Sequence, residues 1–313
     1  MNKKILKRPP IEELKKYNAY VESDTPFQSH ARLLQNKWLL FKESAKDKLK
    51  GEAQDNENAN LLEKSFLFLT SNIYKLVDKT MLMASREHAA NVWDRFKNNL
   101  MSSQHLCFNL FGEMSFNLSL ATEFFKRVLP DEVAEVTSVV YDYSTRKGKP
   151  DWTTFDVYVE YLSIAGEEKF LGIIVRYCEN MRDEEEGKSL RLFYKYKDQY
   201  SALAGASGYF SSTNYQDMAI PPYGEIWRKH LLCYNMSTDT KLNRRGELLV
   251  LYPFNNDPCD VVVREYKDRF LVDSDKQSKF HAYDLNYFMR TIDQIAQSKW
   301  SKELVERYLV EEE

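Results

Sequence analysis

The chain has 313 residues, 43% hydrophobic and 29% charged, with a net charge of −3. That balance fills a sizeable soluble core and leaves no overall basic field, so any nucleic-acid surface must be a local patch. Four scattered cysteines form no CxxC pair, no apolar run reaches the roughly 18 residues of a membrane span, and the N-terminus lacks a signal-peptide core. A structural zinc, a disulfide framework and a membrane span are thereby disfavoured, and the expected location is the cytoplasm.

The first 60 residues read as helical with polar interruptions. Leu33, Leu34, Trp38 and Phe41 stand at helical spacing between Ser29 and Ala45. Lys46 to Asn60 is charged and Asn-rich and reads as a loop. The helical pattern returns from Leu61 to Leu100. Phe66, Leu69, Ile73, Leu76 and Val77 line one face, and Val92, Trp93, Phe96 and Leu100 another. A short helix follows, with Ser102 or Ser103 as its cap and Gly112 as its end; the next runs from Leu118 to Leu129 and stops at Pro130.

The pattern then changes to strands. Val136 to Tyr143, Thr154 to Leu162 and Phe170 to Tyr177 are rich in β-branched and aromatic residues, with a turn at Ala165-Gly166 between the last two. Glu247 to Tyr252 and Asp260 to Glu265 read as two further strands. Between them lie a charged segment, Met181 to Gly187, and a helix around Ile226 to Met236; an amphipathic helical tail runs from Tyr283 to Tyr308. Helices, then strands, then helices imply an α/β fold around a mixed sheet. The expected organisation is a helical region at 1–130 packed on an α/β core at 131–313 that includes the C-terminal helix, the two forming one continuous domain.

Several motifs, in order, resemble one known family. Ser102-Ser103-Gln104-His105-Leu106-Cys107-Phe108-Asn109-Leu110-Phe111-Gly112 is similar to a signature of a bacterial group of PD-(D/E)XK nuclease-like proteins. Matches before and after it are Arg32-Leu33-Leu34-Gln35-Asn36-Lys37-Trp38, Phe155-Asp156-Val157-Tyr158-Val159-Glu160-Tyr161, Gly172-Ile173-Ile174-Val175-Arg176-Tyr177, Ile226-Trp227-Arg228-Lys229-His230-Leu231-Leu232 and Leu251-Tyr252-Pro253. The resemblance implies a restriction-endonuclease-like mixed sheet flanked by helices, with helical additions at both ends. It also implies a bacterial DNA-engaging nuclease with a Mg²⁺ site.

The resemblance places that site on the hairpin, and this chain departs from it there. The family pattern on the second hairpin strand looks like G-I-E-V-K-Y; here Ile174 stands for the glutamate and Arg176 for the lysine. Asp156 matches the first acid. Asp142, in Tyr141-Asp142-Tyr143-Ser144, stands for an upstream glutamate. Isoleucine has no lone pair for a hard cation, and arginine keeps a charge for phosphate while staying protonated. The resemblance therefore implies Asp156 and Asp142 as metal ligands and Arg176 on the scissile phosphate, with impaired or unconventional hydrolysis. A catalytically inactive module that binds a protein or a nucleic acid is the alternative.

Local readings stand beside these. Asp156 after Thr153-Thr154 is also a residue that can open a strand by bonding to local backbone. Arg176 on an apolar strand needs an anionic partner, either a phosphate or Asp156 or Asp142. Glu160 shares Asp156's strand face but lies roughly 13 Å along it, and reads as solvated or ion-paired. Gln104, His105 and Asn109 read as structural hydrogen-bonding residues. For nucleic acid the candidates are Arg191, Lys195 and Lys197, interleaved with Phe193, Tyr194, Tyr196 and Tyr200. The alternative is a helix with a solvated basic face over buried aromatics. Lys3, Lys4, Lys7 and Arg8 read as a basic arm or a solubilising terminus.

Overall fold

The computed structural model describes residues 6–50, 67–84, 99–143, 151, 153–181, 186–272 and 275–311. The elements in chain order begin with helices α1 (Ile11–Lys16), α2 (Pro26–Lys50), α3 (Ser71–Ala84), α4 (Ser103–Phe116) and α5 (Leu118–Val128). Strands β1 (Val133–Tyr143), β2 (Phe155–Ser163) and β3 (Glu168–Val175) come next. Helices α6 (Glu186–Lys195), α7 (Lys197–Ser207), α8 (Tyr215–Ala219) and α9 (Gly224–Ser237) then lead to β4 (Arg245–Tyr252). Helices α10 (Asp257–Phe270) and α11 (Asp275–Ser278) connect it to β5 (Phe280–Asp284), and α12 (Leu285–Ala296) and α13 (Lys299–Tyr308) close the chain. Two compact units result, residues 1–116 with 289–313, and residues 117–288.

The second unit is α/β, built on one five-stranded mixed sheet in the order β1-β2-β3-β4-β5. β1 to β3 form an antiparallel meander, while β3/β4 and β4/β5 pair in parallel. Parallel neighbours need long crossovers, which the intervening helices supply. β3 is buried at every position from Phe170 to Val175, which explains why its sequence reads as a continuous apolar run. On one face Tyr158, Phe170, Ile174, Leu248 and Val250 pack with Ile226, Trp227, Leu231 and Leu232 of α9, so that helix lies against the sheet's centre. α5 packs along β1.

Phe170 and Gly246 are register partners across β3 and β4, and the Phe170 ring covers the glycine. A Cβ at Gly246 would lie 1.9 Å from the ring's Cζ. Gly246→Ala is expected to cost about 2–3 kcal/mol by overpacking, read by urea unfolding. A loss below about 0.5 kcal/mol would show that the ring swings aside freely.

Two expectations are corrected here. Asp260 to Glu265 is no strand but the middle of α10. Its valines gave a β-like run, yet Cys259, Val262, Val263, Tyr266 and Phe270 recur at helical spacing and are its buried apolar residues. Asp257 and Asp260 sit in its first turn and Pro258 near its start, where missing N–H partners make proline harmless. Gly112 does not end α4 but lies inside it. A Cβ there would come 2.7 Å from Ile73 Cγ1, so the glycine lets α3 and α4 approach.

The first unit also holds Asn109, buried and structural: its Oδ1 accepts from the Leu69 N–H, its Nδ2 donates to Tyr308 Oη, and its carbonyl accepts from Trp300 Nε1. Buried Arg307 donates to Gln35 Oε1 and to the Leu67 carbonyl, with its guanidinium 3.7 Å from the Trp38 ring centre. The expected loop at Lys46–Asn60 is helical backbone up to Lys50 and otherwise lies outside the described residues, as do Lys3, Lys4, Phe66, Val92, Trp93, Phe96 and Ser144. No helix among the described residues is long and apolar enough to cross a membrane.

Candidate active site

The β2–β3 hairpin sets the site. Val157 pairs with Ile173 and Tyr158 with Gly172, so one step further along the ladder Asp156 stands beside Ile174. The Asp156 carboxylate reaches across, its Oδ2 accepting from the Val175 N–H at 2.9 Å. The Arg176 backbone N–H donates to the Leu251 carbonyl of β4, which fixes where its side chain starts. From there Nη1 donates to Asp156 Oδ2 at 2.9 Å and to the Val175 carbonyl at 2.5 Å, and Nη2 pairs with Glu225 Oε1.

α9 brings the second half of the site. Glu225 lies in its first turn, where the helix dipole favours a carboxylate, and Lys229 follows one turn later on the same face. Lys229 Nζ pairs with Asp156 Oδ1 at 2.5 Å and with Glu225 Oε1 at 2.9 Å. Two acids and two cations thus form a closed ring, each acid shared by both cations. The cations are the buried members, with the side chains of Arg176 and Lys229 11% and 7% exposed and those of Asp156 and Glu225 25% and 38%. What faces solvent at this site is carboxylate.

The protonation states follow from burial opposed by pairing. Burial pushes the Arg176 guanidinium down, but Glu225, Asp156 and Glu179 outweigh it and hold the group well above its ordinary value. Lys229 is likewise raised, since Asp156 and Glu225 overcome burial and the repulsion of Arg176. For Glu225, burial would raise the carboxyl, yet Arg176 and Lys229 keep it well below the usual carboxylate range. All three are charged across the physiological range. Lys229 is therefore not a proton acceptor at neutral pH in this arrangement.

The structure joins Asp156 and Arg176 directly. Asp142 lies on β1 in a left-handed backbone conformation (φ 48°), exposed, with its Oδ1 accepting from Thr154 Oγ1 at 2.5 Å. The acid that shares cations with Asp156 is Glu225. Glu160 is ion-paired with Arg244, and Glu179 folds back to accept from the Tyr177 N–H. Arg191 and Lys195 are exposed on α6 and Lys197 on α7; Phe193 and Tyr200 are buried, Tyr194 is exposed, and Lys195 Nζ lies 4.9 Å from the Tyr196 ring centre.

Sequence reasoning matched the Ile226–Leu232 segment but passed over Glu225 and Lys229 as site residues. A signal was present: Lys229 sits among Ile226, Trp227, His230 and Leu231, so a lysine on a buried helix face had to meet an acid.

Comparison with known proteins agrees with this architecture. Neither a curated protein nor a solved structure matches the chain significantly. A family model described as the PD-(D/E)XK nuclease superfamily matches residues 22–310. With that match spanning the described units and the mixed sheet carrying Asp156 on its central hairpin, the chain belongs to the PD-(D/E)XK nuclease superfamily.

Proposed function

We propose that the chain is a nuclease-fold protein that binds DNA and whose natural site does not hydrolyse it through bound Mg²⁺. The observation that carries this is the double capture of Asp156, whose Oδ1 is held by Lys229 and Oδ2 by Arg176. Nucleases of this superfamily generally use divalent metals. Mg²⁺ demands near-octahedral oxygen ligation at about 2.1 Å and keeps several waters. Here Ile174 supplies no donor, and both carboxylates already accept from buried cations. Among the described residues no three His, Cys, Asp or Glu side chains form a metal-ligand group. The residues present do not fit a resident Mg²⁺.

DNA binding is supported by superfamily membership together with the exposed Arg191, Lys195 and Lys197. Arg191 and Lys195 are one turn apart on α6 and project from one face, as phosphate contacts along a strand require. The ion-pair ring does not serve that purpose, because its cations lie beneath its acids.

The test pairs binding with cleavage. Fluorescence anisotropy on a short duplex is expected to show salt-dependent binding, weakened at least tenfold when Arg191, Lys195 and Lys197 are all changed to Glu. Plasmid and linear DNA with Mg²⁺ or Mn²⁺ are expected to stay intact with the natural chain. Cleavage is expected to appear only in the Ile174→Glu, Arg176→Lys double variant, which returns an acid and a shorter cation to β3. Metal-dependent cleavage by the natural chain would instead show a working, rearranged nuclease. Absence of any DNA binding would leave a protein-binding module as the better reading.

A further inference from the structure

We infer, resting on the DNA-binding reading above, that the chain stacks unpaired nucleobases on the exposed aromatic rings of Phe254 and Tyr287, with Arg264 as the contact for the strand's phosphate. Phe254 stands out from its surroundings. Tyr252, Pro253, Asn255 and Asn256 beside it in the chain are all buried, while Phe254 is 37% exposed. Its backbone N–H donates to Asp284 Oδ1 at 3.1 Å, and its ring centre lies 5.1 Å from that of Tyr252, so the exposed side chain starts from a fixed point. The same Asp284 oxygen accepts from the Asn286 N–H at 3.2 Å, which ties the start of α12 to the end of β4. Tyr287, the next residue, is 46% exposed. One carboxylate thus anchors two solvent-facing aromatic residues that come from different elements. Arg264 joins them from α10. Asp260 Oδ1 accepts from the Tyr252 hydroxyl at 3.0 Å and from Arg264 Nε at 3.1 Å, which links the guanidinium to the tyrosine that supports Phe254. The Arg264 side chain is 64% exposed.

Position and charge choose the occupant. The Arg176 N–H is bonded to the Leu251 carbonyl, three residues before Phe254, so the aromatic residues and the ion-pair ring share one end of the sheet. In open α/β sheets the carboxyl ends of the strands are where ligands bind. The solvent-facing groups of the ion-pair ring are the carboxylates of Asp156 and Glu225, and Asp257 is exposed at the start of α10. These acids repel phosphates and leave the neutral faces of bases unaffected. An aromatic ring accepts any base face without regard to sequence, and an arginine beside it takes the backbone. In a duplex those faces are covered by neighbouring bases, so the site calls for DNA with a single-stranded stretch.

A short oligothymidylate carrying 5-iododeoxyuridine tests this. It is irradiated with the natural chain and the cross-links are mapped by mass spectrometry, beside anisotropy on the same strand and on a blunt duplex of equal length. Cross-links at Phe254 or Tyr287 are expected. Phe254→Ala with Tyr287→Ala is expected to weaken single-strand binding at least about tenfold and to leave duplex binding within about twofold. Phe254→Tyr with Tyr287→Phe keeps both rings and is expected to keep the single-strand affinity. Should the double alanine variant not fold, Tyr287→Ala alone is measured, with a loss of at least about threefold expected. Duplex binding with no cross-link at either ring overturns this inference alone. Cross-links confined to other residues, or a folded double alanine variant with undiminished single-strand affinity, do the same. Absence of binding to both forms of DNA overturns it together with the reading on which it rests.

Discussion

Replacing Asp156 by alanine is expected to lower the stability of the sheet-bearing unit by about 3 kcal/mol, a drop of roughly 6–12 °C in its unfolding midpoint. The cause lies in what remains. Arg176 and Lys229, both nearly inaccessible, would share Glu225 as their one directly paired acid, with Glu179 acting on Arg176 only through space, and an under-compensated buried charge costs more than the pair contributed. Asp156 is a quarter exposed, so the lower end of the usual range for breaking a buried pair applies. Asp142→Asn supplies the contrast. Asp142 is exposed, and asparagine tolerates its left-handed backbone while still accepting from Thr154, so a change within about 0.5 kcal/mol is expected. Calorimetry on both variants checks this. Equal midpoints for Asp156→Ala and the natural chain would mean that the ring contributes nothing to folding. The result also governs how cleavage assays are interpreted: activity lost in Asp156→Ala reports catalysis only where the variant is shown to be folded.

Stability is expected to fall by about 2 kcal/mol between pH 7 and pH 5 because of His230 alone, approaching about 3 kcal/mol near pH 4. The ring is fully buried against Tyr209, Phe210 and Phe280, with Tyr209 stacked at 4.8 Å. Its Nε2–H donates to the Ser278 carbonyl at 2.6 Å, which leaves Nδ1 to accept from the Tyr266 hydroxyl at 3.0 Å and fixes the neutral tautomer. Burial pushes the imidazole down from 6.5 to about 4; the Ser278 bond opposes that shift, and His281 adds to it. As pH falls below about 6.5 the unfolded chain takes up a proton that the folded chain refuses, so stability is full above that pH and declines until the folded site protonates near 4. Urea unfolding of the natural chain and of His230→Gln across this window isolates the contribution as a difference in slope. Parallel slopes would mean that the imidazole takes its proton as readily when folded as when unfolded.

The sheet was legible wherever local pattern and final burial agree. β1 to β3 read correctly because the hairpin is short-range and its turn at Ala165-Gly166 is marked in the sequence, Gly166 adopting φ 79°. β5 was missed. Phe280-His281-Ala282-Tyr283-Asp284 is short and half-polar, and is a strand because β4 lies alongside it, a contact across more than thirty residues that no window sees. The valines of α10 misled for the opposite reason: β-branched composition favours a strand, and packing of one helical stripe outweighed it.

At the site, Asp156 and Arg176 could be paired from strand parity and the need of a charge for a partner. Glu225 and Lys229 could not be placed beside them, because nothing in α9's own residues says which strand end it will cover. The mixed reading of α6 and α7 resolves in part, since Phe193 and Tyr200 went to the core as helix periodicity demands while the basic residues stayed outside.

The shared face of Glu225 and Lys229 also sets what the chain can tolerate in insertions and deletions. A helix fixes the angular phase of its residues, about 100° for each position. One residue added or removed between 225 and 229 would turn one charge away from the other, so that they could not both reach Asp156. The same change in the segment between α7 and α8 would leave that phase untouched. The ion-pair ring thus constrains spacing within α9 as well as residue identity, and relatives that keep the ring should keep the distance from 225 to 229 unchanged.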